Sequence, residues 1–311
     1  MFSMNHPTAN FDRKLPSRKA DGKTDSSGDI SANVTSPGNG DASEPSYIAV
    51  LPAGERVWAV PSIHGEASQL KALHRVIGEN FKPGRDRIIY LGNYLGYGAA
   101  IAGTMDEILR FRRQLLMLPG TEAEDLVYLR GAQEEMWSKL LKLQMASDPL
   151  SALQWMMTHG VQATLEAYGG SSAEGERKCR EGTMAITKWA GALRKNMQAN
   201  PGHFELMTSL SRAAHTSDRG ILFVHASIDP SRPLSMQGDI FWWDNETFER
   251  INRPYQAFKK VVRGYDHKRR GPTLDRDFRV TLDSGCGFGG PLVGAALDPA
   301  GAVLQVIEAA P

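Results

Sequence analysis

Residues 56–98 read RVWAVPSIHGEASQLKALHRVIGENFKPGRDRIIYLGNYLGYG, and the division of this stretch decides the fold. Arg56–Pro61 is a short apolar run ended by a proline, the pattern of a strand. Gln69–Ile77 places Leu70, Leu73, Val76 and Ile77 at helical spacing. Asp86–Leu91 is a second strand-like run, and a glycine-punctuated turn follows it. Strand, helix and strand in this order open an α/β pattern.

The pattern continues outward. Thr104–Leu118 is predicted to be helical, with Thr104 as N-cap and Glu107 three residues on. Leu126–Arg130 reads as a third strand and Gln133–Met145 as a helix. The stretch from Asp148 to about Ala214 is helix-rich, with loops near Gly169–Gly175 and Asn200–Gly202. Strand-like runs follow at Gly220–His225, Lys259–Gly264, Phe278–Asp283, Leu292–Leu297 and Val303–Ile307. An α/β domain with two sheets is therefore expected over 47–311, with a helical insertion or cap at about 148–214. The first 46 residues are rich in Ser, Asn, Asp, Gly, Pro and Lys and hold too little apolar surface to offset the entropy of ordering them. They read as a disordered polar tail, solvated or serving as a partner-binding arm. Its front carries Arg13, Lys14, Arg18, Lys19 and Lys23; from Asp25 to Glu44 every charge is acidic.

Of 311 residues, 41% are hydrophobic, and Lys plus Arg (36) balances Asp plus Glu (35) to a formal charge of +1. That balance gives no field that would attract nucleic acid or an anionic membrane. No apolar run is long enough for a membrane span, and the N-terminus lacks the charged–apolar–small order of a secretory signal. Cys179 and Cys286 form neither a disulfide framework nor a zinc site. A cytoplasmic protein is expected.

Five strand ends carry polar or glycine-rich loops: Pro61–Gly65 (PSIHG), Gly92–Gly98 (GNYLGYG), Gly131–Glu134 (GAQE), His225 in V-H-A, and Arg263-Gly264-Tyr265. Open α/β sheets bind ligands at the carboxyl ends of their strands, so these loops could converge on one crevice. In order and spacing the series resembles the calcineurin-like metallophosphoesterases, in particular the bacterial relatives of Ser/Thr protein phosphatases. Their motifs run GDxHG, GDxxDRG, GNHE, a His in V-H-A, and V-x-H-G-H. The flanking LFVHASIDPSRPL, GDIFWW and LDSGCGFGGPL are similar too, and the resemblance spans Tyr47 to the C-terminus.

That resemblance implies a four-layer α/β/β/α sandwich with two divalent metals, such as Mn, Fe or Zn, activating a hydroxide that attacks phosphorus. Position by position, most of that machinery is replaced. Ser62 stands for the first Asp, while His64 is kept. Asn93 stands for the metal-bridging Asp, Gly96 for the Asp that orients the proton donor, and Tyr97 for a phosphate-binding Arg. Ala132 replaces the Asn ligand and Gln133 the proton-donor His, while Glu134 and His225 survive. Arg263 and Tyr265 replace the last two histidines. No intact catalytic set and no metal or other cofactor is therefore expected. The expectation is a pseudophosphatase that regulates, scaffolds or binds a protein partner; the alternative is an active phosphoesterase with a remodelled or single-metal site. In the first case His64 and His225 are packed remnants. In the second they recruit Glu134, Asp229, Asp266 or His267. Arg263 either pairs with Glu134 or another carboxylate, or joins Arg130 in a metal-free anion site for a phosphorylated ligand. Trp242-Trp243 and the Met- and Trp-rich helical block read as core, and Lys259-Lys260 with Lys268–Arg270 as a solvated basic face.

Overall fold

The structure is a computed structural model that describes residues 47–243 and 246–309; the predicted tail, 1–46, lies outside them. Two five-stranded sheets form its centre. One holds β2 (Arg56–Val60), β3 (Asp86–Tyr90), β4 (Leu126–Tyr128), β9 (Leu292–Leu297) and β10 (Val303–Ala309), in the order β10-β9-β2-β3-β4. The other holds β1 (Ile48–Leu51), β5 (Ala213–Thr216), β6 (Ile221–Val224), β7 (Lys260–Arg263) and β8 (Arg279–Thr281), in sequence order of pairing β1-β5-β6-β7-β8. β2, β3 and β4 run parallel, as do β6, β7 and β8, so two groups of strand ends point the same way along their sheets.

Side-chain alternation builds the layers. Val57, Ala59 and Ile89 of one sheet meet Leu51, Phe223, Val262 and Val280 of the other in a buried inter-sheet cluster. The alternate residues Trp58, Val60, Ile88 and Tyr90 face the opposite way, into a cluster with helices α1 (Ala67–Asn80) and α2 (Ile101–Leu116). At roughly 1.5–3 kcal/mol for each fully buried large apolar side chain, these two faces supply most of the driving force. The outer face of the second sheet is covered differently. Phe241, Trp242, Phe248 and Phe258 pack on Leu222, Val224 and Val261, and they come from irregular chain with single 3₁₀ turns at Leu234–Met236, Asp239–Phe241 and Phe248–Arg250.

α2 departs from its predicted start. It begins at Ile101, so Thr104 is an interior, buried residue and not an N-cap. Glu107 is not part of a capping box either: its carboxylate accepts from His74 Nδ1 at 2.7 Å and from Arg110, and Tyr90 Oη donates to His74 Nε2 at 2.8 Å. This chain of bonds ties α1, α2 and β3 together, and the needs of a buried histidine override the local capping signal.

Between α3 (Ala132–Leu140) and β5 lie α4 (Pro149–Met156), α5 (Gln162–Ala167), α6 (Ser172–Glu181), α7 (Thr183–Gln198) and α8 (His203–Thr208). Leu153, Leu165, Trp189 and Leu193 of this block share the cluster that contains α1 and α2. The predicted helix over Gln133–Met145 stops at Leu140, with a 3₁₀ turn at Leu143–Met145. The helical region does not reach Ala214: Ala213–Thr216 is a strand, parallel to β1, and neither strand was predicted. No helix among the described residues is long and apolar enough to cross a membrane.

Candidate functional site

The five loops meet, and backbone bonds lock them together. Ile63 N and His64 N both donate to the Asn93 carbonyl, at 2.9 and 2.7 Å. Ser62 N donates to Gly264 O at 3.0 Å, joining the two sheets, while Gly264 N and Tyr265 N donate to His225 O at 3.1 and 3.0 Å. Contact this close explains two of the glycines. A Cβ at Gly131 would lie 2.3 Å from Asn93 N, and Gly92, at φ +91°, has Gly131 N 2.6 Å from where its own Cβ would stand. His64 and Asn93 also hold positive φ, 53° and 58°. Non-glycine residues rarely adopt that conformation, and it persists only where the surroundings over-determine it.

At the centre lie Ser62, His64, Asn93 and His225, all essentially fully buried. The Asn93 amide nitrogen lies 3.3 Å from Ser62 Oγ and 3.4 Å from His64 Nε2, and Asn93 Oδ1 accepts from Gln133 N at 3.0 Å. His225 Nδ1–H donates to Leu91 O at 2.7 Å, which fixes the tautomer and leaves Nε2 as an acceptor without a hydrogen bond. Burial drives the His64 pKa down to about 3, helped by the nearby His225, and burial takes His225 down to about 4. Both rings are therefore neutral at physiological pH.

The residues that depart from the motif pattern have packing partners. A Cβ at Gly96 would stand 2.5 Å from His64 Nδ1, so the imidazole closes the position where the family carries Asp. Tyr97, Tyr265 and Phe288 surround the His64 ring edge-on, with centroids at 5.4, 6.1 and 5.3 Å, and Arg269 caps Phe288 at 3.9 Å. Tyr265 also stacks on His225 at 5.2 Å and 7°. Gln133 Nε2 donates to His159 O at 2.8 Å, in a wide helical turn (Met157–Val161) whose Gly160 lies against the Tyr97 ring. Ala132 fills the Asn-ligand position with a buried methyl.

Glu134 survives as a clamp. Its carboxylate accepts from Asn93 N at 2.8 Å, Gly131 N at 2.8 Å and Leu95 N at 3.1 Å. Burial pushes its pKa up while these donors pull it down. It is not a partner of Arg263. That buried guanidinium pairs with Glu249 at 3.1 Å and Asp266 at 3.3 Å, donates to Thr281 Oγ1 at 2.9 Å and lies over Phe248 at 4.2 Å. Arg130 pairs with Glu135 at 3.2 Å. Both arginines predicted for an anion site thus face carboxylates. The proposed metal recruits are committed as well. Asp266 also binds Arg270, Asp229 binds Ser231 and Arg232, and His267 is exposed beside the buried Asp266. The basic face is partly ion-paired: Lys268 binds Glu246, and Arg270 binds Asp266 and Glu249.

The two divalent ions implied by the motif resemblance do not fit these residues. The central donors are two neutral imidazoles, a carboxamide and a hydroxyl, with no negative charge to offset a buried dication. Among the described residues, no three His, Cys, Asp or Glu side chains come together as a metal-binding group. Sequence reasoning missed Phe288, Arg269, Glu249 and Thr281. Phe288 lies in the quoted LDSGCGFGGPL run, Arg269 in the basic cluster Lys268–Arg270 and Thr281 in the strand Phe278–Asp283, but none was read as part of the site; the glycine-rich run around Gly287 is the one hint of that loop's close approach to His64.

No family model matches the chain, and no curated protein matches it. Solved structures do. A cold-active protein tyrosine phosphatase is 14% identical, with 84% of this chain and 81% of that chain covered at a TM-score of 0.49. A Saccharomyces cerevisiae protein serine/threonine phosphatase is 13% identical (84% and 82% covered, TM-score 0.43), and a Sphaerobacter thermophilus metallophosphoesterase is 13% identical (82% and 87%, 0.38). By description these solved structures are two protein phosphatases and a metallophosphoesterase, each 13–14% identical to this chain at a TM-score below 0.5.

Proposed function

We propose that this protein is a pseudophosphatase: a metallophosphatase-like chain that does not hydrolyse phosphate esters and acts by binding. One observation carries the reading. Where five strand ends converge, the polar core is His64, Asn93, Ser62 and His225, closed over by Tyr97, Tyr265 and Phe288, and the carboxylate bonded to the Asn93 backbone, Glu134, is held by three backbone N–H groups. A hydrolytic site needs a polarising charge, a proton donor and room for substrate. Here an amide, a glutamine and an aromatic collar stand in their places. Asn93, Gln133, Tyr97 and Tyr265 each join one loop to another, so the old crevice has become part of the core.

The test is elemental analysis of protein purified without chelator, together with p-nitrophenyl phosphate turnover in Mn²⁺ on the same sample. We expect less than about a tenth of a metal ion per chain and no turnover above a His64→Ala, His225→Ala control. Stoichiometric metal with turnover abolished in that control would overturn the proposal in favour of a remodelled metal site.

A further inference from the structure

The turns 230–233 and 250–256 enclose an open cleft of about 860 Å³. Arg232, Arg250 and Arg253 line it, with Pro233, Pro254 and Tyr255, and no acidic side chain is among its lining residues. Arg232 has a counter-charge in Asp229, 3.3 Å away. Among the described residues neither Arg250 nor Arg253 has an ion-pair partner, although both are exposed. Asp229 faces Arg232 and also interacts with Arg250, so one carboxylate stands against three guanidinium groups, and the excess positive charge favours a ligand carrying carboxylates. Proline and a buried tyrosine give that cleft stiff walls, since Tyr255 Oη is bonded to Arg232 O at 2.7 Å and to Gln237 Nε2 at 3.2 Å.

The start of the described chain lies beside this cleft. Tyr47 Oη donates to Ser235 O at 3.1 Å, three residues from Arg232, and Arg212 lies over the Tyr47 ring at 4.9 Å. Arg212 N also donates to Tyr47 O at 2.9 Å, so the point of entry is fixed. The residues preceding it carry Asp25, Asp29, Asp41 and Glu44 with no Lys or Arg between Asp25 and Glu44. Asp41 is six residues from Tyr47, a reach of up to about 20 Å, whereas the three residues from Ser235 to Arg232 span at most about 10 Å. Charge, reach and point of entry agree. We propose that the arginine cleft receives the acidic stretch Asp25–Glu44 of this same chain, an intramolecular contact in which Arg250 and Arg253 are met by its carboxylates. The contact is independent of whether the strand-end site is catalytic.

Hydrogen exchange read by mass spectrometry on the full chain tests this. We expect amides in 229–233 and 250–256 to exchange roughly threefold or more slowly in the wild type than in the neutralised D25N/D29N/D41N/E44Q chain. R250E/R253E should exchange as the neutralised chain does, and salt above about 0.5 M should remove the difference. Reversing both sides, R250E/R253E with D25K/D29K/D41K/E44K, should restore the slow exchange. All the substituted arginines are exposed, and matching melting curves would show that the variants fold. Equal exchange in wild-type and neutralised chains would overturn the proposal, as would failure of the double reversal. Protection that disappears on dilution would overturn it too, because the acidic stretch would then be occupying the cleft of a second copy.

Discussion

A Glu134→Ala variant is expected to lose about 4 kcal/mol of stability, seen as a fall of roughly 10 °C in melting temperature. The side chain is fully buried and its carboxylate takes three backbone N–H groups, from Asn93, Gly131 and Leu95. Truncation removes all three acceptor bonds and leaves three donors enclosed by protein. Each orphaned donor costs about 1–3 kcal/mol, and relaxation recovers part of the total. Glu134→Gln keeps the shape and one acceptor oxygen but turns an –NH₂ toward an N–H, so an intermediate loss is expected. A shift below about 2 °C for the alanine variant would remove Glu134 from its place as the clasp of the converging loops.

Acid should unfold this protein through its buried histidines. His64 and His225 have folded pKa values of about 3 and about 4, below the ordinary 6.5 of an exposed imidazole. A depressed histidine pKa means the unfolded chain binds more protons than the folded one between those values and 6.5, so stability is complete above pH 6.5 and declines below it. Each ring costs about 1.4 kcal/mol per pH unit in that window, and at pH 4.5 the two together amount to about 5 kcal/mol. Burial lowers His74 in the same direction. Burial pushes the carboxyls of Glu134 and Asp283 up, which offsets part of the loss. Urea unfolding at pH 7, 6, 5 and 4.5 measures the slope. A His64→Gln, His225→Gln chain should show less than about half of it; an unchanged slope would mean the rings are not held neutral.

The site was legible to different depths. Ser62, His64, Asn93, Gly96, Tyr97, Ala132, Gln133, Glu134, His225 and Tyr265 all belong to the loops that converge, because each follows a short apolar strand, ended by glycine or proline in every case but that of His225. Arg263 is also at a strand end, but its guanidinium runs into Glu249, Asp266 and Thr281. Glu249 lies in a 3₁₀ turn fourteen residues upstream, and no local pattern advertises that meeting. The collar was illegible for the same reason. Phe288 comes from a glycine-rich loop more than two hundred residues after His64, and its approach depends on Gly287, where a Cβ would lie 2.4 Å from His64 Cβ.

Legible in the chain alone are the alternation of strands and helices, the polar and glycine-rich loops at the strand ends, and the neutral side chains Ser62, Asn93 and Gln133 within them. These are local properties: side-chain period, turn chemistry and the ionic state of a residue type follow from the chain wherever it goes. Tertiary structure alone decided the rest. β1 and β5 pair across more than 160 residues, and the small and polar side chains of Ala213–Thr216 give no local strand signal. α2 starts three residues before the threonine that local capping favours, and Thr104 is buried inside it. Two neutral imidazoles, an amide and an aromatic collar became a packed core because burial, which the sequence does not display, set the protonation of the first and the contacts of the last.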